Sequence, residues 1–530
     1  DRRFNGVGIE KLNFITPAIS NIGAGEELSF GDEDFYHARD GGSVITEEIS
    51  LMDQFYVTLS TRSDFGSMIG ANAANVKYNG MRLGWRADQT LSFLPSFISM
   101  FKPRFAYGES GVLPGLRDNI ELLWAAESGG AGSGGVLSEI GNPDIEPESI
   151  AETEIGFDTE LYLPMDLGAL SVEYTSYTQN ASQSLVGMEN SPSTGLTASE
   201  RPVNVGEMEM TGTELLLKYS NDIGAILGLP NMLEADISYS MSHNENNVVR
   251  LDDGEFEAQP IYDGFDLQVI QPGLAKYSWY NFDVLGASFD PTTGLYTGVQ
   301  LDTVTQTMWD SDQEQLERYA GATGVGSPYK KFLGLSSPSD IRYLSLNLKV
   351  LKDFTVYALW DWKEGMMMQN DTKGFSLYFG AYKPRNDAAD QLGFGGPEPD
   401  SGAEVLVDFD EYDNITGIKS GKEQAYEDVA NSFAMMDNAY ADNYLRDASF
   451  SKFRELSFSY NAGSLLRRFG IEIVSDIRVF YSIQNIETKT DYDGPDPEIN
   501  WSGANSSERG QDFLTLQNPK THTFGITVNF

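Results

Sequence analysis

Alternation is the chain's clearest regularity. From residue 233 to 242, Leu233, Ala235, Ile237, Tyr239 and Met241 interleave with Glu234, Asp236, Ser238, Ser240 and Ser242. A period of two puts the apolar groups on one face of a β-strand and the polar groups on the other. The design recurs at Phe55, Val57 and Leu59; at Met81, Leu83 and Trp85; and at Phe101, Phe105 and Tyr107, which face away from Lys102, Arg104 and Ala106. Ile155, Phe157, Leu161 and Leu163 oppose Glu154, Asp158 and Glu160, and Leu170, Val172 and Tyr174 follow after a short turn. Later come Leu215, Leu217 and Tyr219; Leu344, Leu346, Leu348 and Val350; Phe354, Val356, Ala358, Trp360 and Trp362; and Leu456, Phe458 and Tyr460. The series runs on through Ile471, Ile473, Ile477, Val479, Tyr481 and Ile483. Ahead of residue 45, strands are expected around Val7 to Phe14 and Glu27 to Tyr36, without clean alternation. The pattern predicts roughly a dozen to fourteen strands.

The connections carry as much information as the strands. Short links are expected at 164–168, 220–230, 352–353 and 462–470, and long ones at about 109–150, 180–208, 244–340, 365–450 and 487–518. A soluble sandwich gives no reason for that alternation, whereas a membrane barrel does, with short periplasmic turns and long extracellular loops. Strands of about ten residues suit a tilted span of the hydrocarbon layer. Glu, Asp, Lys and Ser on the polar faces suit a water-filled lumen and not a dry core. Trp85, Tyr107, Trp360 and Trp362 at strand ends are candidates for an interfacial girdle. The fold class expected is therefore all-β, an antiparallel transmembrane β-barrel. One Gly/Ser-rich run, Glu127 to Gly135, reads as a flexible loop.

Composition narrows the chemistry. Acidic residues number 79 against 36 basic ones, a formal charge of −43, so no nucleic-acid partner is expected, since phosphate binding runs on Lys and Arg. With no cysteine, disulfides and thiol catalysis are excluded too. No run approaches the roughly 18 apolar residues of a membrane helix. The chain opens DRRFNG, without a starting Met or a signal peptide, which reads as a start inside a longer precursor or at a cleavage point.

Catalysis finds little support. His37, His243 and His522 are dispersed, the run GESG from Gly108 to Gly111 lacks the spacing of a nucleophile elbow, and the glycines from Gly321 lack the Lys-Ser/Thr of a phosphate loop. No cofactor is expected, calcium apart: Asp491, Asp493 and Asp496 sit around a turn-forming Gly494, and Asp408, Asp410 and Asp413 form a weaker cluster. Asx turns in solvated loops are the alternative for both. Tyr262, Trp279, Tyr280, Tyr296 and Trp309, in the loop 244–340, are candidates to stack on a ligand or to touch a partner, with loop packing as the commoner role for such rings.

Several blocks carry a resemblance. The ending Phe524, Ile526, Val528 and Phe530, alternating with Gly525, Thr527 and Asn529, resembles the C-terminal assembly signal of outer-membrane barrels. NPDIEPESIAETEIGF from Asn142, Gly326 to Pro328, WDWKEGMMMQNDT from Trp360, YLRDASFSKFRELSFSY from Tyr444 and FYSIQNIETKTDYDGPDPEIN from Phe480 stand in the order found in SusC/RagA-type TonB-linked outer-membrane transporters, and resemble their motifs. The resemblance implies that residues 1–530 are the C-terminal part of one barrel of about 22 strands, with the plug and TonB box upstream of residue 1. It further implies TonB-dependent import of a nutrient such as an oligosaccharide or peptide, a SusD-like surface lipoprotein as partner, and outer-membrane lipid and lipopolysaccharide as surroundings. The other readings are a non-transporting display or adhesion barrel and a secreted β-rich carbohydrate-active enzyme.

Overall fold

The computed structural model describes residues 2–14, 25–71, 76–129, 132–165, 167–190, 193, 200–251, 261–263, 268–437, 439–469, 474–503 and 509–529. Its centre is a 13-stranded sheet in which every strand pairs with its neighbour in sequence. We number these strands β1 (Asp40–Leu51), β2 (Phe55–Gly66), β3 (Val76–Trp85), β4 (Ile98–Val112), β5 (Glu148–Tyr162), β6 (Ala169–Glu189), β7 (Glu200–Asp222), β8 (Leu233–Arg250), β9 (Asp340–Val350), β10 (Phe354–Glu364), β11 (Phe450–Asn461), β12 (Asp476–Thr490) and β13 (Thr521–Asn529). All the pairings are antiparallel, giving an up-and-down wall whose edges are β1 and β13.

Register keeps like with like. Ile237 lies opposite Leu346, Leu346 opposite Ala358, Ala358 opposite Leu456 and Leu456 opposite Ile483, so one apolar stripe crosses the wall from β8 to β12 and meets His522 on β13. The face it runs along is open: Phe524 keeps 66% of its surface, and Ile526, Ile237 and Leu83 are exposed as well, while the small Ala358 within the stripe is covered. The opposite face carries the charges, with Arg104 bonded to Asp158 at 3.1 Å and Lys349 to Glu234 at 3.1 Å. A concavity of about 420 Å³ on that face is lined by Glu48, Arg62, Tyr78, Arg82, Glu152 and Glu154. Aromatic rings gather at both ends of the apolar face, Phe55 stacked on Trp85 at one and Trp360 on Phe453 at the other, centroids 6.0 and 4.6 Å apart.

At one end of the wall the links are brief: 52–54, 86–97, 163–168, 223–232, 351–353 and 462–475. The tightest ones place Met52, Asp53, Leu351 and Lys352 in the left-handed region, with φ between 53° and 68°. Hairpins require that twist, usually from Asn-Gly. At the other end the links are 67–75, 113–147, 190–199, 251–339, 365–449 and 491–520.

Two expectations need revision, while the strands expected ahead of residue 45 are present. The stretch 180–208 is mostly strand, because β6 and β7 run to 21 and 23 residues and keep pairing beyond a membrane's thickness. There Val186, Val203, Val205, Val248 and Leu251 form a small core that holds the extension. The Gly/Ser-rich run is a hairpin, Leu123–Gly129 with Gly132–Glu139, because backbone pairing does not need side chains. Arg2–Phe14 and Gly25–Ala38 also form a hairpin, as a sheet of their own. Ile471, Ile473 and Phe530 lie outside the described residues.

Candidate functional site

The long links 251–339, 365–449 and 491–520 fold together at one end of the wall. Ala287, from the hairpin Val284–Phe289 with Tyr296–Leu301, packs with Ala388, Leu392, Val407, Tyr426, Ala430 and Phe433 of the next link in one buried cluster. Polar bonds cross the same boundary: Asn431 accepts from the Ala287 N–H at 2.9 Å, Asp442 from the Val284 N–H at 3.1 Å, and the Tyr426 hydroxyl from the Tyr296 N–H at 3.1 Å. Helices supply much of this body, including Gln306–Arg318, capped by Thr305, and Glu423–Ala434. A Thr side chain accepting from the third residue on is the usual device for starting a helix.

The third link is tied to the polar face by six charges. β11 bulges between Phe453 and Glu455, which breaks the alternation and lets Arg454 and Glu455 both serve the polar side. Arg454 donates two bonds to Asp361 of β10, at 2.8 and 2.6 Å, and another to Glu498. Lys452 donates to Asp496 at 2.6 Å and to Glu498 at 2.8 Å, and Lys363 to Glu498 at 2.9 Å. Asp361 is 1% exposed and Lys452 3%, yet cations and carboxylates balance three to three. A buried charge is tolerable only in such company. Burial alone would push Glu498 up, but the hydrogen bonds from Arg454, Lys452 and Lys363 outweigh it and hold its carboxyl at about 2.

Beside this latch lies a second polar core. Met367–Asn370 pairs in parallel with Gln511–Asp512, Gln369 opposite Gln511 and Asn370 opposite Asp512. Tyr492 donates to Asp512 at 2.9 Å and Thr372 at 3.3 Å, while Gln369 donates its amide to Asp371. Burial, and then the charge of Asp512, push Asp371 up to about 7.

On the surface, rings from two links touch in a chain. Tyr378 meets Phe379, Phe379 meets Phe375, Phe375 meets Phe513 and Phe513 meets Trp501, with centroids between 4.6 and 6.0 Å. Tyr378 and Phe379 keep 68% and 71% of their surface, and Leu514 and Leu516 extend the patch. An exposed apolar area of this kind is a candidate contact site.

The residues singled out from sequence have other surroundings. Trp279 is buried and donates to the Met367 carbonyl at 3.0 Å, Tyr280 is buried, Tyr296 packs on Phe394 and Phe433, and Trp309 packs against the Val304 and Leu316 cluster. These rings hold the body together. Tyr262 lies in the strand Ile261–Asp263, and its side chain is outside what is described. The calcium candidates do not converge: Asp491 is exposed, Asp493 pairs with Lys373 at 2.7 Å, and Asp496 pairs with Lys452. Lysine ammonium groups already supply the positive charge a metal would bring. Asp410 caps an Asx turn, accepting from the N–H groups of Tyr412 and Asn414. Among the described residues no group of three or more His, Asp or Glu is arranged to hold a metal. His243 pairs with Asp340 and Glu245, and His522 with Tyr481. The aromatic patch was missed because its rings come from two links far apart in sequence, and no local period joins them.

Residues 34–350 match the family model described as TonB dependent receptor-like, beta-barrel. The chain belongs to that family. The TonB-dependent receptor P3 of Formosa agariphila is 22% identical over 97% of this chain and 49% of its own, and receptor P39 of the same organism is 24% identical over 90% and 45%. The RagAB peptide importer in its closed-closed state is similar over the whole chain and 52% of its own, with a TM-score of 0.72 at 17% identity; the open-open state gives 0.70. The chain thus spans about half the length of the relatives it matches. A TonB-dependent receptor barrel sits in the outer membrane, so the apolar stripe is its lipid face and the charged face its lumen side. The family is one of receptors and transporters, not of enzymes.

Proposed function

We propose that this chain is the C-terminal wall and loop body of a SusC-like importer that takes up an oligosaccharide or peptide. The plug and TonB box of the working protein belong to the half of its relatives' length that this chain does not span, ahead of residue 1. The long links face the outside of the cell, and the brief ones the periplasm. The observation that carries the reading is the fit of the whole chain to the RagAB fold, loops included, at a TM-score of 0.72. RagAB is named as a peptide importer, which favours a peptide or a similarly sized polymer as cargo.

The exposed chain of rings from Tyr378 to Trp501 is the natural seat for a SusD-like lipoprotein, since a folded loop body offers a rigid apolar platform and buried anchors dominate such contacts. The test is extraction from native membranes in mild detergent, purification through this chain, and mass spectrometry of what accompanies it. A surface lipoprotein and plug peptides are expected, and the lipoprotein should be lost when Tyr378 and Phe379 are both changed to Ala. A barrel that travels alone would replace import with display. Retention of the lipoprotein by the double variant, with uptake lost, would make the patch a ligand platform.

A further inference from the structure

We propose that the lipid face does not stop where the strands end: the apolar tips of the brief links lie among the phospholipid headgroups of the periplasmic leaflet and fasten that rim of the wall to the membrane. The inference rests on the orientation proposed above, with the brief links toward the periplasm. Met52, Phe93, Met165, Leu227, Leu351 and Phe469, one from each brief link, keep between 60% and 84% of their surface. The link 223–232, IGAILGLPNM, holds no ionisable side chain, in a chain of which 22% is charged. Turns built for water favour Gly, Asn, Asp, Ser and Pro. Here leucine, methionine and phenylalanine stand open instead.

The backbone shows that some of these side chains are kept at a cost. Met52, Met165 and Leu351 hold φ at 57°, 61° and 53°, in the left-handed region where glycine or asparagine fits with less strain. A large apolar group exposed in that conformation gains little from the fold, so its gain comes from outside the chain. The link 223–232 is also closed upon itself, as a segment leaving water has to be. The N–H groups of Leu227, Gly228, Leu229 and Met232 donate to carbonyls of the same link, and Asp222 accepts from those of Ala225 and Asn231 at 3.1 and 2.7 Å.

Continuity with the lipid face identifies what covers the tips. Tyr219, on the apolar face of β7, donates its hydroxyl to the Leu167 carbonyl at 2.8 Å and ties the link 163–168 to that face. The Leu351 N–H donates to the Met232 carbonyl at 2.9 Å, directly beyond the paired Leu233 and Val350, so two more links prolong the ladder. Apolar surface therefore passes from the wall onto the tips. Lipid already lies against the wall there, and exposed apolar groups settle roughly 5–10 Å into the boundary between headgroups and acyl chains. A protein seated on the rim from below would need no such continuity.

The test uses the whole transporter in vesicles of phosphatidylethanolamine and phosphatidylglycerol, with a fluorophore on one introduced cysteine. This chain has no cysteine of its own, and the unsubstituted protein, carried through the same labelling, is the blank. Leu229→Cys and Met165→Cys read two different links, and Tyr412→Cys reads an exposed position of the loop body. Phospholipid carrying a nitroxide near its headgroup should quench the labels at 229 and 165 more than about twofold as strongly as the label at 412, with the order reversed for iodide in the water. Should Leu229→Cys fail to assemble, Met165→Cys gives the reading from a separate link. Iodide quenching at these sites as strong as at 412 would mean bare turns in water, and shielding from iodide and nitroxide alike would mean a protein cover; either result overturns the inference. Reaction of the cysteine at 229 with an impermeant maleimide on intact cells would instead overturn the orientation on which it rests.

Discussion

The wall and the loop body obey opposite burial rules. In the wall, apolar side chains such as Phe524, Ile526, Ile237 and Leu83 are exposed, while Asp361 and Lys452 are hidden on the polar side. In the loop body, Leu392, Val407, Tyr426 and Ala430 are buried as in a water-soluble domain. One chain is therefore built for two solvents. The wall closes its backbone bonds in a continuous ladder because lipid offers none, whereas the loop body is held by its own core and could not rely on lipid for cohesion. The latch between them, Asp361, Lys363, Lys452, Arg454, Asp496 and Glu498, is the place where the two regimes meet.

The largest effect should come from breaking that latch. Arg454→Met strands Asp361 and takes one of three cations from Glu498, and removing one member of a buried charge network costs roughly 3–5 kcal/mol. The link 491–520 should become open to protease while strand content by circular dichroism stays at the wild-type value. Acid provides the same cut without mutation. Because the folded carboxyl of Glu498 lies near 2, below its ordinary 4.5, the stability it contributes is complete above about pH 4.5 and lost as the pH falls through about 2. Protection of the link against hydrogen exchange should decline across that window. An unchanged profile would mean that the network is screened by solvent.

Next in size is Leu392→Ala, in the middle of the loop body's core. Truncating a fully buried leucine costs roughly 2–5 kcal/mol, here confined to one region. Differential scanning calorimetry should show a low-temperature transition shifted downward and the barrel transition unmoved. A shift of both would mean that wall and body melt as one unit. Ile526→Lys tests the other side of the comparison, since a cation on the lipid face costs about 2–4 kcal/mol at mid-membrane. Thr527→Lys, one residue on and facing the lumen side, should assemble at the wild-type level in outer-membrane fractions.

What the sequence disclosed follows the same division. The wall was legible because a period of two survives at single-residue resolution: the stripe through Ile237, Leu346, Ala358 and Leu456 is visible before any register is known. Where the period fails, so did the reading. The bulge at Arg454 looks like an ordinary strand position, and only pairing with β10 and β12 reveals why Arg454 and Glu455 both serve the polar side. The motif block holding Asp496 and Glu498 and the block holding Lys452 and Arg454 were each recognisable, yet nothing along the chain says that they touch. Acidic spacing suggested a metal at Asp491, Asp493 and Asp496, but spacing does not show that Lys373 and Lys452 arrive from other segments. The rings of the exposed patch were hidden for the same reason, while Trp279 and Tyr280, conspicuous in sequence, are buried.

The smallest predicted effect sharpens the comparison furthest, because it keeps the chemistry and changes only the surroundings. Lys383 and Asp387 form an ion pair on the helix Lys383–Gln391, 2.6 Å apart and one turn from each other, with the lysine largely in water. The bond is as short as that between Lys452 and Asp496. Geometry alone would rank the two equally. Water screens the first, and holding two long side chains still offsets most of what remains, so Lys383→Ala should change stability by roughly 0.3 kcal/mol. That is near the limit of a denaturant titration, against a loss about ten times larger at Arg454. A large effect at Lys383 would show that the loop body is far less hydrated than its surface suggests, and would move the boundary between the two regimes out to the helices.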